Sequence, residues 1–524
     1  MSDRKRWVGL PFISLGVALI IVDATIVNVA IPSIIDELKV TSTQAQWIQE
    51  TYTLVFASLL LVFGRIADRS GRRLMFMIGV LVFVGSSVMA ANVNSGDALI
   101  AARLIQGAGG AMMLPTSLSI LNSTFVGKER GIAFAVWGST ISAAAAFGPL
   151  LGGWLTTDFS WRWAFGINAP LGALIVAGLL LFVDESRSDG ETAGVDLVGA
   201  GLSVIGIGSI VFGLIEGRNY GWITALEPVS LPGFTWTASV SLVPVMFAIG
   251  AVVLAAFLRV EIRRNRDGKP VLLDLALLEI PSFRNANIAA GIVALGEFGL
   301  LFSLPLWLQN VLGYSAFDTG LILMSLAVGS FLASGAGATM GARRGPVFIV
   351  RVGIALEIVG IALAGLLIST TTSWWLIALP LFFYGAGVGL ATAQLTGVAL
   401  ADVPVQNSGQ GSGIQSTTRQ LGSALGIAIL GTVLFSSLGS DLDRRLESFP
   451  QLPAAVKTQV SESVVKSAGA VIQGFREDPQ YSAVGESAAE AFTYGTKLSA
   501  FIGAFFLCLG WLASLRLGKS APRE

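Results

Sequence analysis

The residues with chemistry to offer are ionisable side chains set inside long apolar runs: Asp23, Arg103 and Glu297, with Glu357 and Arg419 as secondary candidates. A charge at the centre of a bilayer costs roughly 2.5–3.5 kcal/mol on insertion scales, so an acid or base held there marks a place where a proton or a charged cargo is handled. Asp23 is the sharpest case, the single acid in IIVDATIVNVAIP (Ile20 to Pro32), in the outer half of the first run. Its bland alternative is a protonated acid bonded to a neighbouring helix. Arg103 keeps its proton at physiological pH and needs a carboxylate, a carbonyl or an anion beside it. A permanent cation favours ionisation of any acid that swings near it, which is the simplest way to couple helix movement to proton release. Glu297, in VALGEFGLLF, stands in the second half of the chain much as Asp23 stands in the first. Arg419, with Gln415 and Gln420, either pairs across the halves or closes an inner gate. Histidine is absent and the one cysteine, Cys508, lies in an apolar run, so neither a disulfide framework nor a metal site is expected. Any proton handled within the membrane must then move on Asp, Glu, Lys, Arg, Tyr or water; no cofactor is expected beyond a proton gradient, should protons be what these groups carry.

The elements that hold these residues are set by composition. Of 524 residues 53% are hydrophobic and 13% charged, the formal net charge is zero, and the mean hydropathy is +0.74. Such a chain is an all-α polytopic membrane protein, and its neutral balance argues against nucleic acid as a partner. Apolar runs fall near 8–31, 45–63, 74–92, 98–121, 131–155, 163–183, 196–216, 239–259, 285–308, 318–338, 347–368, 375–399, 412–435 and 493–515, which predicts fourteen transmembrane helices. Basic residues concentrate in alternate loops, including Arg4 to Arg6, Arg65 to Arg73, Arg259 to Arg284 and the C-terminal tail. The opposite short loops carry only Lys39, Arg162 and Arg218. Positive loops face the cytoplasm, so both termini are expected inside and the first helix is expected to be retained. Charged interruptions at Asp184 to Asp196 and Glu261 to Asn287 bracket two helices that read as an insertion. The division is 1–190 for a first six-helix half, 191–284 for the inserted pair with its linker, and 285–524 for a second half. That second half includes an extracytoplasmic segment at 436–492, read as a helical hairpin over the outer face.

Motifs tie these helices to a mechanism. The loop after the second helix reads GRIADRSGRR, with Gly64, Asp68, Arg69, Gly71, Arg72 and Arg73; the corresponding stretch Gly337 to Pro346 keeps Arg343, Arg344 and Gly345 without an acid. Degeneracy of that kind is what an old internal repeat leaves. Arg103 is followed by Gln106 to Gly110, and the fifth helix carries Gly148, Pro149, Gly152 and Gly153, a kink with small residues at close-packing spacing. After it comes Trp161 to Pro170, WRWAFGINAP. Together with Asp23, Thr25, Val27, Asn28, Ala30 and Pro32, these signatures resemble, in order, those of the major facilitator superfamily and within it the fourteen-helix drug:proton antiporter family of bacterial multidrug exporters.

The resemblance implies the major facilitator fold, two six-helix halves plus two inserted helices. It also implies that the Gly64 to Arg73 loop latches the halves in the outward-open state. Asn28, Gln106, Trp137, Phe298, Phe302 and Gln394 become candidates to line a cavity, on helices that also carry Phe147, Trp307, Phe383 and Tyr384. Glu357 falls on a helix that is peripheral in this superfamily, so packing or a lipid-facing position is an equal reading for it. The expected activity is export of amphipathic, cationic compounds in exchange for protons from a bacterial cytoplasmic membrane, by a monomer in contact with lipid. An exporter dedicated to one antibiotic, amino acid or polyamine is the alternative. A proton-driven importer is disfavoured because the ExxER signature is absent from the first helix. With no histidine and no nucleotide loop of the GxxxxGK type, an enzyme is not expected.

Overall fold

A computed structural model describes residues 3–40, 42–187, 196–231 and 234–518. The acidic connection Asp184 to Asp196 is therefore seen only at its ends, and the Lys519 and Arg523 end of the basic tail lies outside the described residues. The first half is built from α1 (Asp3–Leu38), α2 (Ser42–Ser70), α3 (Arg72–Asn92), α4 (Gly96–Thr124), α5 (Gly127–Asp158) and a span divided into α6 (Trp163–Gly166) and α7 (Asn168–Phe182). α8 (Leu197–Tyr220) and α9 (Leu242–Arg266) follow, joined by an antiparallel pair β1 (Val229–Leu231) and β2 (Phe234–Trp236) in which Val229 faces Trp236. A short α10 (Ala276–Glu279) leads into α11 (Pro281–Asn310), α12 (Ala316–Arg344), α13 (Pro346–Leu367), α14 (Trp374–Leu400), α15 (Ser408–Leu446), α16 (Ala454–Lys466), α17 (Ile472–Glu477) and α18 (Ser482–Ser514).

Thirteen spans among the described residues are long and apolar enough to cross a bilayer, and α5 adds a fourteenth that bends by 42° between Ala145 and Leu150. The bend follows from sequence. Pro149 has no N–H to give to the carbonyl four residues back, so the helix ladder is interrupted beside Gly148.

Both halves meet along a seam of α5 against α12 and α14, and of α2 and α4 against α15; α8 packs on α9 and lies beside α2 and α15. No hydrophobic effect drives helix against helix inside lipid, so close contact depends on small residues. At the crossing of α2 and α15, a Cβ on Gly64 would lie 2.5 Å from the Gly409 carbonyl oxygen and 2.9 Å from the Gly413 Cα. Backbones touch there because neither helix carries a side chain.

The ends of the bundle are fixed by charge. Lys5 pairs with Asp184 at 2.7 Å, Arg6 with Glu129 at 2.8 Å, and Asn285 donates to the Arg516 carbonyl at 3.0 Å. The described N- and C-terminal residues thus lie at one end, together with the Gly64 to Arg73 loop. At the other end the 436–492 segment departs from a separate hairpin. α15 runs unbroken to Leu446 and α18 begins at Ser482, so both spans continue beyond their apolar runs, and only α16 and α17 lie between them. The break after α16 falls at Ala468 and Gly469, both with positive φ. Arg476 pairs with Glu486 at 2.6 Å and donates to the Val311 carbonyl at 2.6 Å, which ties the segment to the end of α11.

Candidate functional site

Asp23 and Arg103 are brought together. α1 and α4 place the Asp23 Oδ2 2.6 Å from Arg103 Nη1, with the acid fully buried and the arginine 2% exposed. Every strong donor in the neighbourhood converges on this carboxylate: Gln106 Nε2 at 2.7 Å and Asn168 Nδ2 at 2.8 Å both donate to Oδ1, and each also donates to Ser87 Oγ. Arg103 in turn donates to the Ile48 carbonyl at 3.1 Å and lies 4.3 Å over the Tyr52 ring. One negative and one positive charge balance, and both acid oxygens are occupied. The ion pair holds α1, α3, α4 and α7 together; removing one partner of such a pair typically costs 3–5 kcal/mol. Ser87 and Tyr52 carry this cluster although nothing singled them out beforehand, whereas Asn168 stands in the WRWAFGINAP signature without a role of its own there. Asn168 had the clearer signal, a polar side chain at the start of an apolar helix.

The second cluster is looser. Glu297 on α11 is 3% exposed, with Arg419 Nη2 at 3.5 Å from Oε2 and Thr392 Oγ1 at 3.4 Å from Oε1; the Tyr384 hydroxyl donates to the Glu297 carbonyl at 3.2 Å. Arg419 therefore pairs inside the second half and not across the seam. Glu357 on α13 is fully buried, which removes the lipid-facing reading, and among the described residues neither of its carboxyl oxygens has a hydrogen-bond partner.

Across the seam stands the loop motif. Asp68 pairs with Arg72 at 2.8 Å and accepts the backbone N–H groups of Gly409 at 2.7 Å and Gln410 at 2.8 Å, the first amides of α15. A helix N-terminus presents unpaired N–H groups and partial positive charge, so an acid is the natural partner. Arg72 also donates to the Val405 carbonyl at 2.5 Å. Gly71, at φ +113°, allows the turn, and the Cβ it lacks would meet the Glu185 carboxylate. Glu185 accepts from the backbone N–H groups of Arg73 and Leu74 and so caps α3, while Arg73 Nη1 reaches the Val183 carbonyl at 3.0 Å. Arg69 is partly buried at the end of α2. In the repeat-related turn Gly345 again has positive φ, and Arg344 lies over Phe348 at 5.2 Å in the absence of an acid.

Several expected cavity residues are occupied elsewhere in this conformation. Gln106 belongs to the Asp23 cluster. Trp137 is 4% exposed and donates to Ser117 Oγ at 3.0 Å, and Gln394 is 5% exposed beneath α5 and α12. Phe302 packs edge-on against Phe435, while Phe298 is 37% exposed. The side chains of Asn28 and Pro149 lie outside the described residues. A cavity of about 480 Å³ opens instead at the end of the seam away from the Gly64 to Arg73 loop, between α1 (Val29, Ser33), α5 (Gly153, Trp154, Thr156, Asp158) and the start of α12 (its cap Ser315, and Phe317). Gly148 and Gly152 bring α5 against Thr25 and Ile26 of α1, whereas Gly153 faces this cavity. Nearby, Glu37 accepts from the Arg162 guanidinium and from Trp161 Nε1, and these bonds hold its carboxyl below the usual carboxylate range.

Comparison with known proteins places the chain. The family model described as Major Facilitator Superfamily matches residues 13–427. Among curated relatives, the multidrug resistance protein Stp of Mycobacterium tuberculosis is 31% identical over 468 residues, covering 89% of this chain and 82% of that protein. The multidrug efflux pump LfrA of Mycolicibacterium smegmatis is 30% identical over 510 residues, covering 97% and 95%. The puromycin resistance protein pur8 of Streptomyces alboniger is 32% identical over 435 residues, covering 82% of each. The crystal structure of the human organic anion transporter MFSD10 (TETRAN) aligns with a TM-score of 0.59 at 14% identity, over 97% of this chain and 100% of that one, and shares the fold.

Proposed function

The chain belongs to the Major Facilitator Superfamily, a multi-pass transporter of the cytoplasmic membrane, and on that premise we propose that it exports amphipathic, cationic compounds in exchange for protons by alternating access. The observation that carries this reading is the grip of Asp68 on Gly409 and Gln410. It is a contact between halves made of detachable hydrogen bonds, set beside the close backbone crossing of Gly64 with Gly409 and Gly413, and it closes one end of the seam while a cavity opens at the other. The basic loops at the gripped end support a cytoplasmic assignment for it, and for both termini. The structure is then outward-facing.

Coupling follows from α15. Its first amides are held by Asp68 and its Arg419 reaches Glu297, so gate and charge cluster ride on one rigid helix. Ten residues of helix separate them, about 15 Å. Releasing the gate moves Arg419 relative to Glu297, and a change in that cation's distance changes the proton affinity of the acid. Trp154, Phe317 and Asp158 around the outer cavity suit a cation with apolar faces. Relatives named for multidrug efflux and resistance support the direction of transport and the breadth of cargo. In this account the chain performs no covalent chemistry on its cargo, needs no cofactor beyond the gradient and works as a monomer.

The test is transport into inside-out vesicles holding the purified protein. A lipophilic fluorescent cation should accumulate when the lumen is acidic and leak back when a protonophore is added. Accumulation that ignores the gradient would exclude exchange with protons. A panel of cargoes in the same vesicles separates a multidrug exporter from one dedicated to a single metabolite.

A further inference from the structure

Among the described residues of the second half, Glu357 and Asp441 are the buried carboxyls that the proposed cycle does not yet use, and Asp441 is paired with Arg444 and Arg445. The surroundings of Glu357 are built to hold it. α13 and α14 pack through glycines, and the Cβ that Gly387 lacks would lie 2.7 Å from Glu357 Cγ. The Tyr384 backbone closes on Gly360 in the same way. The side chain is fully enclosed, with no donor to either oxygen among the described residues. Within its electrostatic reach are Glu297 and Arg419, and Tyr384 of α14 shares the cluster; the charges on α12 (Asp318, Arg343, Arg344) and α18 (Glu486, Glu490, Lys497), which also pack on α13, are not among the groups that act on it.

Charge balance then decides the protonation of the group. Two carboxyls face a single arginine. Glu297 is the acid that Arg419 touches, so the arginine's charge is spent on it. An ionised Glu357 would be a second negative charge with no donor and no cation, in an interior where an unpaired carboxylate is untenable and neutralises instead. Two acids sharing one site behave as a unit that retains a proton until a second positive charge arrives.

We propose that Glu357 is a second proton site, which keeps its proton in the empty outward-facing protein and releases it when a cationic cargo binds beside Glu297. In that step the carboxyl O–H bond of Glu357 breaks and the proton passes to water. The cargo's charge joins Arg419 opposite two carboxylates, so the cluster stays neutral. One proton therefore leaves for each monocation bound. This inference rests on the exchange reading above.

The experiment adds tetraphenylphosphonium to purified protein in weakly buffered solution with a pH indicator, for the wild type and for Glu357→Gln. About one proton per bound cation is expected from the wild type, and binding with release reduced at least fivefold from the variant. Infrared difference spectra of the wild type should show loss of a carboxylic acid C=O band on cation addition, and the variant should lack that band. Equal release from Glu357→Gln overturns the role of Glu357 and leaves the exchange reading standing. Cation binding without proton release from the wild type overturns the exchange reading itself. Where Glu357→Gln does not fold, Glu357→Asp decides: it must retain release with a displaced carboxyl band, and an unmoved band refutes the assignment.

Discussion

Replacing Asp68 by Asn tests the gate at its smallest unit. Asn keeps the shape but offers one carbonyl oxygen where Asp68 uses both of its oxygens, for the Gly409 amide, the Gln410 amide and Arg72. At least one hydrogen bond across the seam is lost and the other loses its charge. Bonds to a charged group contribute about 1.5–3 kcal/mol each, so the closed gate should lose about 2–4 kcal/mol. Stranding of Arg72 without an anion burdens both conformations and largely cancels. At 1.4 kcal/mol per decade, the ratio of gate-closed to gate-open protein should fall roughly 30- to 700-fold. Spin labels at Ser70→Cys and Arg343→Cys, both exposed at the gated end, report that ratio by electron–electron distance measurement once Cys508 is replaced by Ser. Cation affinity should not collapse, because Asp68 belongs to neither acid cluster, while turnover falls sharply. A distance distribution unchanged from wild type, or an affinity that collapses with turnover, would refute the reasoning. Gly64→Ala is the steric counterpart: its new Cβ, 2.5 Å from the Gly409 oxygen, should open the same gate by overpacking worth about 1–3 kcal/mol.

Other perturbations separate the two clusters and the two ends. Asp23→Asn should cost about 3–5 kcal/mol of stability by leaving Arg103 buried and unpaired, and Asp23→Asn with Arg103→Gln should recover much of it; thermal unfolding in detergent reads both. No recovery in the double variant would mean that Asp23 acts alone. For the Glu37 pair the sign follows from its lowered pKa: the stabilisation is fully present above the ordinary value of 4.5 and disappears as pH falls through the depressed folded value. Arg162→Gln should therefore destabilise the protein slightly at neutral pH, by less than about 1 kcal/mol because the pair is solvent-screened, seen as a small fall in melting temperature that vanishes in strong acid. A difference that grows in acid would contradict this. An impermeant thiol reagent applied to intact cells should modify Ser463→Cys and spare Ser70→Cys, and the reverse pattern would invert the sidedness.

How much of this was legible in the sequence depends on the range of each interaction. The spans follow from local hydropathy, and the bend of α5 from the local pair Gly148–Pro149. The individual charges Asp23, Arg103 and Glu297 stand out because they are expensive where they are. Their partners do not stand out. Ser87 and Asn168 are ordinary polar residues until α3 and α7 bring them within 2.8–3.0 Å of the other members of the Asp23 cluster. Gly409 and Gln410 are separated from Asp68 by more than three hundred residues and contribute only backbone amides, which no sequence pattern marks. Glu357 was ambiguous for the same reason: one helical face meets lipid and another meets α14, and only the packing of Gly387 against it decides between them.

The measurement closest to the central claim is cation accumulation by inside-out vesicles under an imposed pH gradient, wild type against Glu297→Gln. The account predicts gradient-driven accumulation by the wild type, and at least tenfold less by Glu297→Gln with cation-independent folding intact. Undiminished, gradient-dependent accumulation by Glu297→Gln would show that the protons travel by a route that this cluster does not form.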